Sequence, residues 1–193
     1  VAIMSRNDLA STTMMQILAG DLEPDEGTVT WGVTSTRSYL PKDTNSAFND
    51  ESLDILDWLR QFAEPGEDDN TFLRGFLGKM LFSGDEIEKK ISVLSGGEKV
   101  RCILSKMMLL KANTLIMDDP TNHLDLESIT ALNDGLVDFK GAIIFTSHDH
   151  QFIQTVANHI VEVSAKGVVD RAETTLDEFL DHDVTQERVA ALY

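Results

Sequence analysis

The chain has a single cysteine, Cys102, so no internal disulfide can form, and a reducing compartment is the default for such a sequence. It has no run of about 18 apolar residues, which excludes a spanning helix. Its start, Val1-Ala2-Ile3-Met4, is too short for the apolar core of a signal peptide and meets Arg6 at once. Basic residues are scarce: 16 Lys and Arg face 33 Asp and Glu, a formal charge of −17. The densest basic stretch, Lys79 to Arg101, is interleaved with Asp85, Glu86, Glu88 and Glu98. A polyanion is repelled by such a surface, so this chain is expected to bind little nucleic acid directly. What is present is globular. With 193 residues and 42% hydrophobic content, the chain can bury about 70% of its unfolded surface as one domain.

The hydrophobic pattern alternates strands and helices. Val1 to Met4 reads as a buried strand, followed by polar Ser5 to Ser11 and a helix from Thr12 to about Ala19, closed by Gly20. Thr28 to Gly32 and Ser35 to Leu40 read as strands. Between about Glu51 and Glu88, Leu53, Leu56, Leu59 and Phe62, then Phe72, Phe76, Leu77 and Met80, mark two helices separated by Pro65-Gly66. From Ile91 the alternation resumes. Val100, Ile103, Leu104, Met107 and Met108 form a helical stripe, and Leu115 to Met117, Ala142 to Phe145 and Ile160 to Val163 read as strands with helices between them. That order predicts a mostly parallel sheet covered on both faces. Lys166-Gly167 suggests a hairpin, and Thr175 with Glu178 forms a capping box before a last helix. The expected division is an α/β core at 1–50 and 91–165, a helical subdomain at 51–90, and a C-terminal hairpin and helix at 166–193.

Three segments carry chemistry. Leu94-Ser95-Gly96-Gly97-Glu98 places backbone N–H groups at the mouth of the amphipathic helix, a ready anion site. Asp118-Asp119, at the end of an apolar strand, delivers two carboxylates to the ligand edge of a parallel sheet. One can hold Mg²⁺ and the other can orient a water. Ser147-His148-Asp149 again follows a strand and places an imidazole at its tip. Each segment alone has a bland reading as a cap or an acidic turn. A zinc site from His123, His148, His150 and a carboxylate is disfavoured, because neither His spacing is a known ligand pattern.

In that order the three segments resemble the signature, the Walker B motif with its D-loop, and the switch histidine of ABC-type ATPases, over essentially the whole chain. Pro120-Thr121-Asn122-His123-Leu124-Asp125 is similar in particular to the ABC-F subfamily, soluble tandem-domain ATPases of which many act on ribosomes. Transporter ATPases usually carry another tripeptide before Leu-Asp. The resemblance implies a P-loop NTPase-like fold with a helical insertion. It also implies a cytoplasmic, translation-linked ATPase using ATP and Mg²⁺, and head-to-tail pairing with a second ABC domain of the same chain. By the same likeness Asp119 and His148 are catalytic, and Thr12 and Asp118 serve the metal. Asn7, Ser11, Thr12, Thr13, Lys42, Ser95, Gly96, Gly97 and Glu98 meet the nucleotide. The antiparallel strands that open the family's fold have no counterpart in this sequence, which looks like the C-terminal ATPase domain of a longer protein.

The sequence departs from the family in one half-site. Where G-x-x-x-x-G-K-[ST] belongs stands Ser5-Arg6-Asn7-Asp8-Leu9-Ala10-Ser11-Thr12. Both glycines are gone and Ser11 replaces the lysine. A left-handed Ala10 would cost about 1–2 kcal/mol, and losing the lysine's contact removes roughly 1.5–3 kcal/mol more. Asp119 is one methylene shorter than the family's glutamate, and a misplacement of about 1 Å costs on the order of 100-fold in rate. Lys42 holds the place of the Q-loop glutamine and cannot accept a hydrogen bond. The expectation is a weak half-site here, with an intact signature serving ATP held by a partner. A transporter ATPase subunit and a non-hydrolysing interaction half are the alternatives.

Overall fold

A computed structural model describes residues 1–193. Six strands form one sheet in the order β2-β3-β4-β1-β5-β6. They are β1 (Ala2–Met4), β2 (Arg37–Leu40), β3 (Thr114–Asp118), β4 (Ala142–Thr146), β5 (His159–Ser164) and β6 (Gly167–Ala172). All pairings are parallel except β5 with β6, the hairpin expected at Lys166-Gly167. The helices are α1 (Asp8–Ala19), α2 (Ile55–Arg60), α3 (Asn70–Lys79), α4 (Gly96–Leu109), α5 (Leu126–Val137), α6 (His150–Val156), α7 (Leu176–Asp181) and α8 (Asp183–Leu192). No helix is long and apolar enough to cross a membrane.

Compactness divides the chain into two units. The first comprises Val1–Lys42, Asn113–Thr121 and Phe139–Tyr193, and the second Asp43–Ala112 and Asn122–Asp138. The helical unit is therefore wider than 51–90, because it takes in α4 and α5. The reason lies in packing: α4 sits against α3 and α2, and its stripe of Val100, Ile103, Leu104 and Met107 is buried. In the same unit Trp58 lies 4.7 Å from Phe48 and 5.1 Å from Phe62, ring centre to ring centre. Cys102 is fully buried on α4, and its burial pushes the thiol pKa up. In the first unit Met15 of α1 packs with Ile3 and Ile116, pinning the helix onto the sheet.

Three local expectations change. α1 begins at Asp8, four residues before Thr12, because Asn7 is extended and its side chain accepts from Leu9 N and Ala10 N. Asparagine is among the strongest N-caps, and its hydrogen bonds convert the expected loop into helix. Thr28 to Gly32 is not a strand. Its β-branched residues find no ladder partner, and the segment instead delivers Trp31, whose indole N–H donates to Leu18 O. The terminal helix is two helices, α7 capped by Thr175 with Glu178 and α8 capped by His182.

Candidate functional site

In the first unit β1 lies between β4 and β5, and the carboxyl ends of β1, β3 and β4 open onto one cavity of about 250 Å³. Ligands of open parallel sheets bind at such ends. The charged groups of its lining are Arg6, Lys42 and His148 against Asp8, Asp118, Asp119 and Glu162. Four carboxylates thus face two permanent cations and one imidazole, an unfavourable balance for a polyphosphate.

Every residue of β3 is buried, and Asp118 ends it at 2% exposure. Its Oδ1 accepts a 2.7 Å hydrogen bond from Thr146 Oγ1, and its Oδ2 has no hydrogen-bond partner. An unpaired buried carboxylate oxygen fits a hard divalent cation, which takes oxygen ligands. Asp119 follows with φ +55°, a left-handed conformation tolerated by aspartate. Its amide donates to Thr146 O (3.2 Å) and Thr146 Oγ1 (3.0 Å). Lys42 Nζ lies 3.7 Å from Asp119 Oδ2 and 3.5 Å from Asp8 Oδ2, and His148 Nε2 lies 3.1 Å from Asp8 Oδ1. Asp8 therefore bridges both groups that would otherwise face a phosphate. The Lys42 charge first, then His148, holds its carboxyl below the usual range.

Arg6 is engaged as well. Its guanidinium lies 3.9 Å from the ring centre of Tyr193, whose hydroxyl donates to Glu162 Oε1 at 2.6 Å. The structure brings Ser11, Lys42, Asp118, Asp119 and His148 to the cavity. Thr12, the hydroxyl expected on the metal, does not line it, because the early helix start turns this stretch into α1's second turn. Asn7 is spent on the cap, and Thr13 Oγ1 donates to Leu9 O at 2.7 Å.

The second unit presents the other motif. Ser95 N-caps α4, accepting from Glu98 N at 3.2 Å, while Glu98 Oε2 accepts from Ser95 N at 2.8 Å. Lys89 Nζ sits 2.8 Å from Glu98 Oε1, fixing that box. The cap leaves the Gly96 and Gly97 amides outside the intrahelical ladder, and Ser95 and Gly96 are exposed. Gly97 is required sterically: a Cβ there would stand 2.5 Å from His123 O. His123 has φ +66° and lays its ring over Gly96.

Residues 1–122, from β1 through Asp118 and Asp119, match the ABC transporter family. The chain belongs to that family. It is 56% identical over its full length to an uncharacterized ABC transporter ATP-binding protein, YkpA, of Bacillus subtilis, of which it covers 35%. It is 30% identical over 184 residues to the energy-dependent translational throttle protein EttA of Escherichia coli, covering 94% of this chain and 33% of EttA. It is 31% identical over 163 residues to ABC transporter F family member 5 of Arabidopsis thaliana, covering 84% of this chain and 23% of that protein. The chain thus spans about a third or less of the length of these relatives. Among solved structures it superposes on an RNase-L inhibitor with a TM-score of 0.74 at 22% identity, covering 100% of this chain and 36% of that one. It superposes on an ATP-binding cassette dimer bound to ADP and Pi with a TM-score of 0.72 at 17% identity, covering 91% and 86%. The fold is that of the ABC ATPases, mixed α/β with a mostly parallel sheet.

Thr146 is the residue that motif spacing missed. A threonine inside an apolar strand reads as β-branched filler, and only the register pairing Asp118 with Thr146 reveals its contact.

Proposed function

We propose that this chain is the ATP-binding domain of an ABC-F-type ATPase, with one strong and one weak half-site. It presents Ser95, Gly96 and Gly97 to the γ-phosphate of ATP held by a second ABC domain, head to tail in the same protein. Its own phosphate-loop position binds nucleotide weakly. The observation that carries this is the contrast between two helix mouths. At α4 the first amides are outside the ladder, and Ser95 and Gly96 are exposed. At α1 the amides of Leu9 and Ala10 are taken by Asn7, and the Asp8 carboxylate occupies Lys42 and His148.

In the strong half-site the α4 amides and dipole stabilise charge on the far phosphate. In the weak one Asp118 is the group that would hold Mg²⁺, whose chemistry is to neutralise phosphate charge. Asp119 would orient the attacking water and His148 would contact the terminal phosphate, but both are drawn into pairs around Asp8 and Lys42. On this reading the chain lies in the cytoplasm with a role linked to translation, and the name of its relative EttA, a translational throttle, supports the second part. With a charge of −17, contacts to ribosomal RNA would come from outside this chain.

Two measurements on the full-length protein test this. Gly96→Arg should lower ATP turnover on the order of 100-fold, because its side chain holds the phosphate away from the transition-state donors. A photoactivatable ATP analogue at low micromolar concentration should leave residues 5–12 unlabelled. Unchanged turnover, or strong labelling of that segment, overturns the reading.

A further inference from the structure

Asp118 has no ion-pair partner, is 2% exposed, and still presents a carboxylate at the cavity. Something must fix the orientation of that carboxylate. The side chain that does so is Thr146, 6% exposed and directly beside Asp118 in the β3–β4 register. Parallel neighbours in register project to the same face of the sheet, and Thr146 Oγ1 donates to Asp118 Oδ1 at 2.7 Å. The same hydroxyl accepts from Asp119 N at 3.0 Å, and Thr146 O accepts from that amide at 3.2 Å. One threonine therefore holds the first carboxylate by its side chain and the left-handed backbone of the second by both of its oxygens.

We propose that Thr146 is a positioning residue that fixes the rotamer of Asp118, leaving Oδ2 as the cation-holding oxygen of this half-site. This rests on the reading of Asp118 as the metal-side carboxylate given above. In this arrangement one carboxylate oxygen is engaged and the other is free. The hydroxyl has one proton and gives it to Oδ1, and its lone pair takes the Asp119 amide, so Oδ2 alone remains unsatisfied. Outer hydrogen bonds of this kind orient metal-binding carboxylates, and their removal typically weakens metal binding 10- to 100-fold.

The test is Mn²⁺ affinity of the nucleotide-free full-length protein whose second ABC domain carries Asn in place of its own metal-side aspartate, read by the electron paramagnetic resonance of free Mn²⁺. Thr146→Val keeps the shape and removes the hydroxyl, Thr146→Ala removes it without overfilling the strand, and Thr146→Ser restores it. The hydroxyl-less variants should weaken Mn²⁺ binding at least about tenfold, with Thr146→Ser within about threefold of the parent. Should Thr146→Val fail to fold, Thr146→Ala against Thr146→Ser carries the comparison. Parent-like Mn²⁺ affinity in a folded Thr146→Ala overturns the proposal when Asp118→Asn abolishes binding. If Asp118→Asn changes nothing, the metal reading of Asp118 has failed and takes this inference with it.

Discussion

Asp8 and Gly97 illustrate how single residues decide opposite outcomes at two helix mouths. Asp8 puts a negative charge at the start of α1, where the macrodipole favours it, and ties up Lys42 and His148. Asp8→Asn keeps the size but releases both partners. It should raise nucleotide affinity at this half-site several-fold, as seen by titration with a fluorescent ADP, and an unchanged affinity would show that the pairs are incidental. Gly97 cannot accept a side chain, because a Cβ would stand 2.5 Å from backbone His123 O. Gly97→Ala should destabilise the second unit by about 1–3 kcal/mol in urea unfolding. Gly96→Ala, whose Cβ would meet His123 at an ordinary 3.5 Å, should change stability by less than about 0.5 kcal/mol. The two adjacent glycines thus separate sterically even though the motif writes them as a pair.

Among the elements, α4 is clamped at its start by Ser95, Glu98 and Lys89. Partial burial raises the Glu98 pKa, but hydrogen bonds from Lys89 and Ser95 outweigh it and hold Glu98 below its usual value, while Glu98 raises Lys89. Glu98 contributes stability that is complete above its unfolded pKa of about 4.3 and is lost as pH falls through the lower folded value. Lys89 contributes stability that is complete below about 10.4 and is lost only as pH rises through its raised folded value. The Ser95 amide resonance should therefore stay fixed across neutral pH and move only below about pH 4, with movement near neutrality contradicting the clamp. Ser95→Ala should cost about 1 kcal/mol. This helix was legible from its stripe and cap, because Ser95 and Glu98 stand three apart just before an apolar period. The start of α1 was not, because reading Ser5 to Ser11 as a phosphate-loop counterpart hid Asn7 as a cap. Thr28 to Gly32 shows a second limit, since β-propensity cannot say whether a neighbouring strand exists to complete the ladder. The carboxylates and His148 were legible as strand-end residues. Thr146 was not, because its meaning lies in register between strands that are distant in sequence.

At the scale of the whole molecule the excess of 33 acids over 16 bases dominates. Like charges oppose compaction, and salt screens them, the Debye length shortening to about 8 Å at physiological ionic strength. The melting temperature should therefore rise between about 10 mM and 150 mM NaCl. A flat or falling response would mean that ion pairs, not net repulsion, set the electrostatics. Cys102 has a separate practical consequence. The lone thiol is enclosed in α4 and its burial keeps it protonated, so maleimide dyes will find no native target on the folded chain. One cysteine introduced at an exposed position would then be a unique handle, and this domain can be fluorescently tagged without first removing anything.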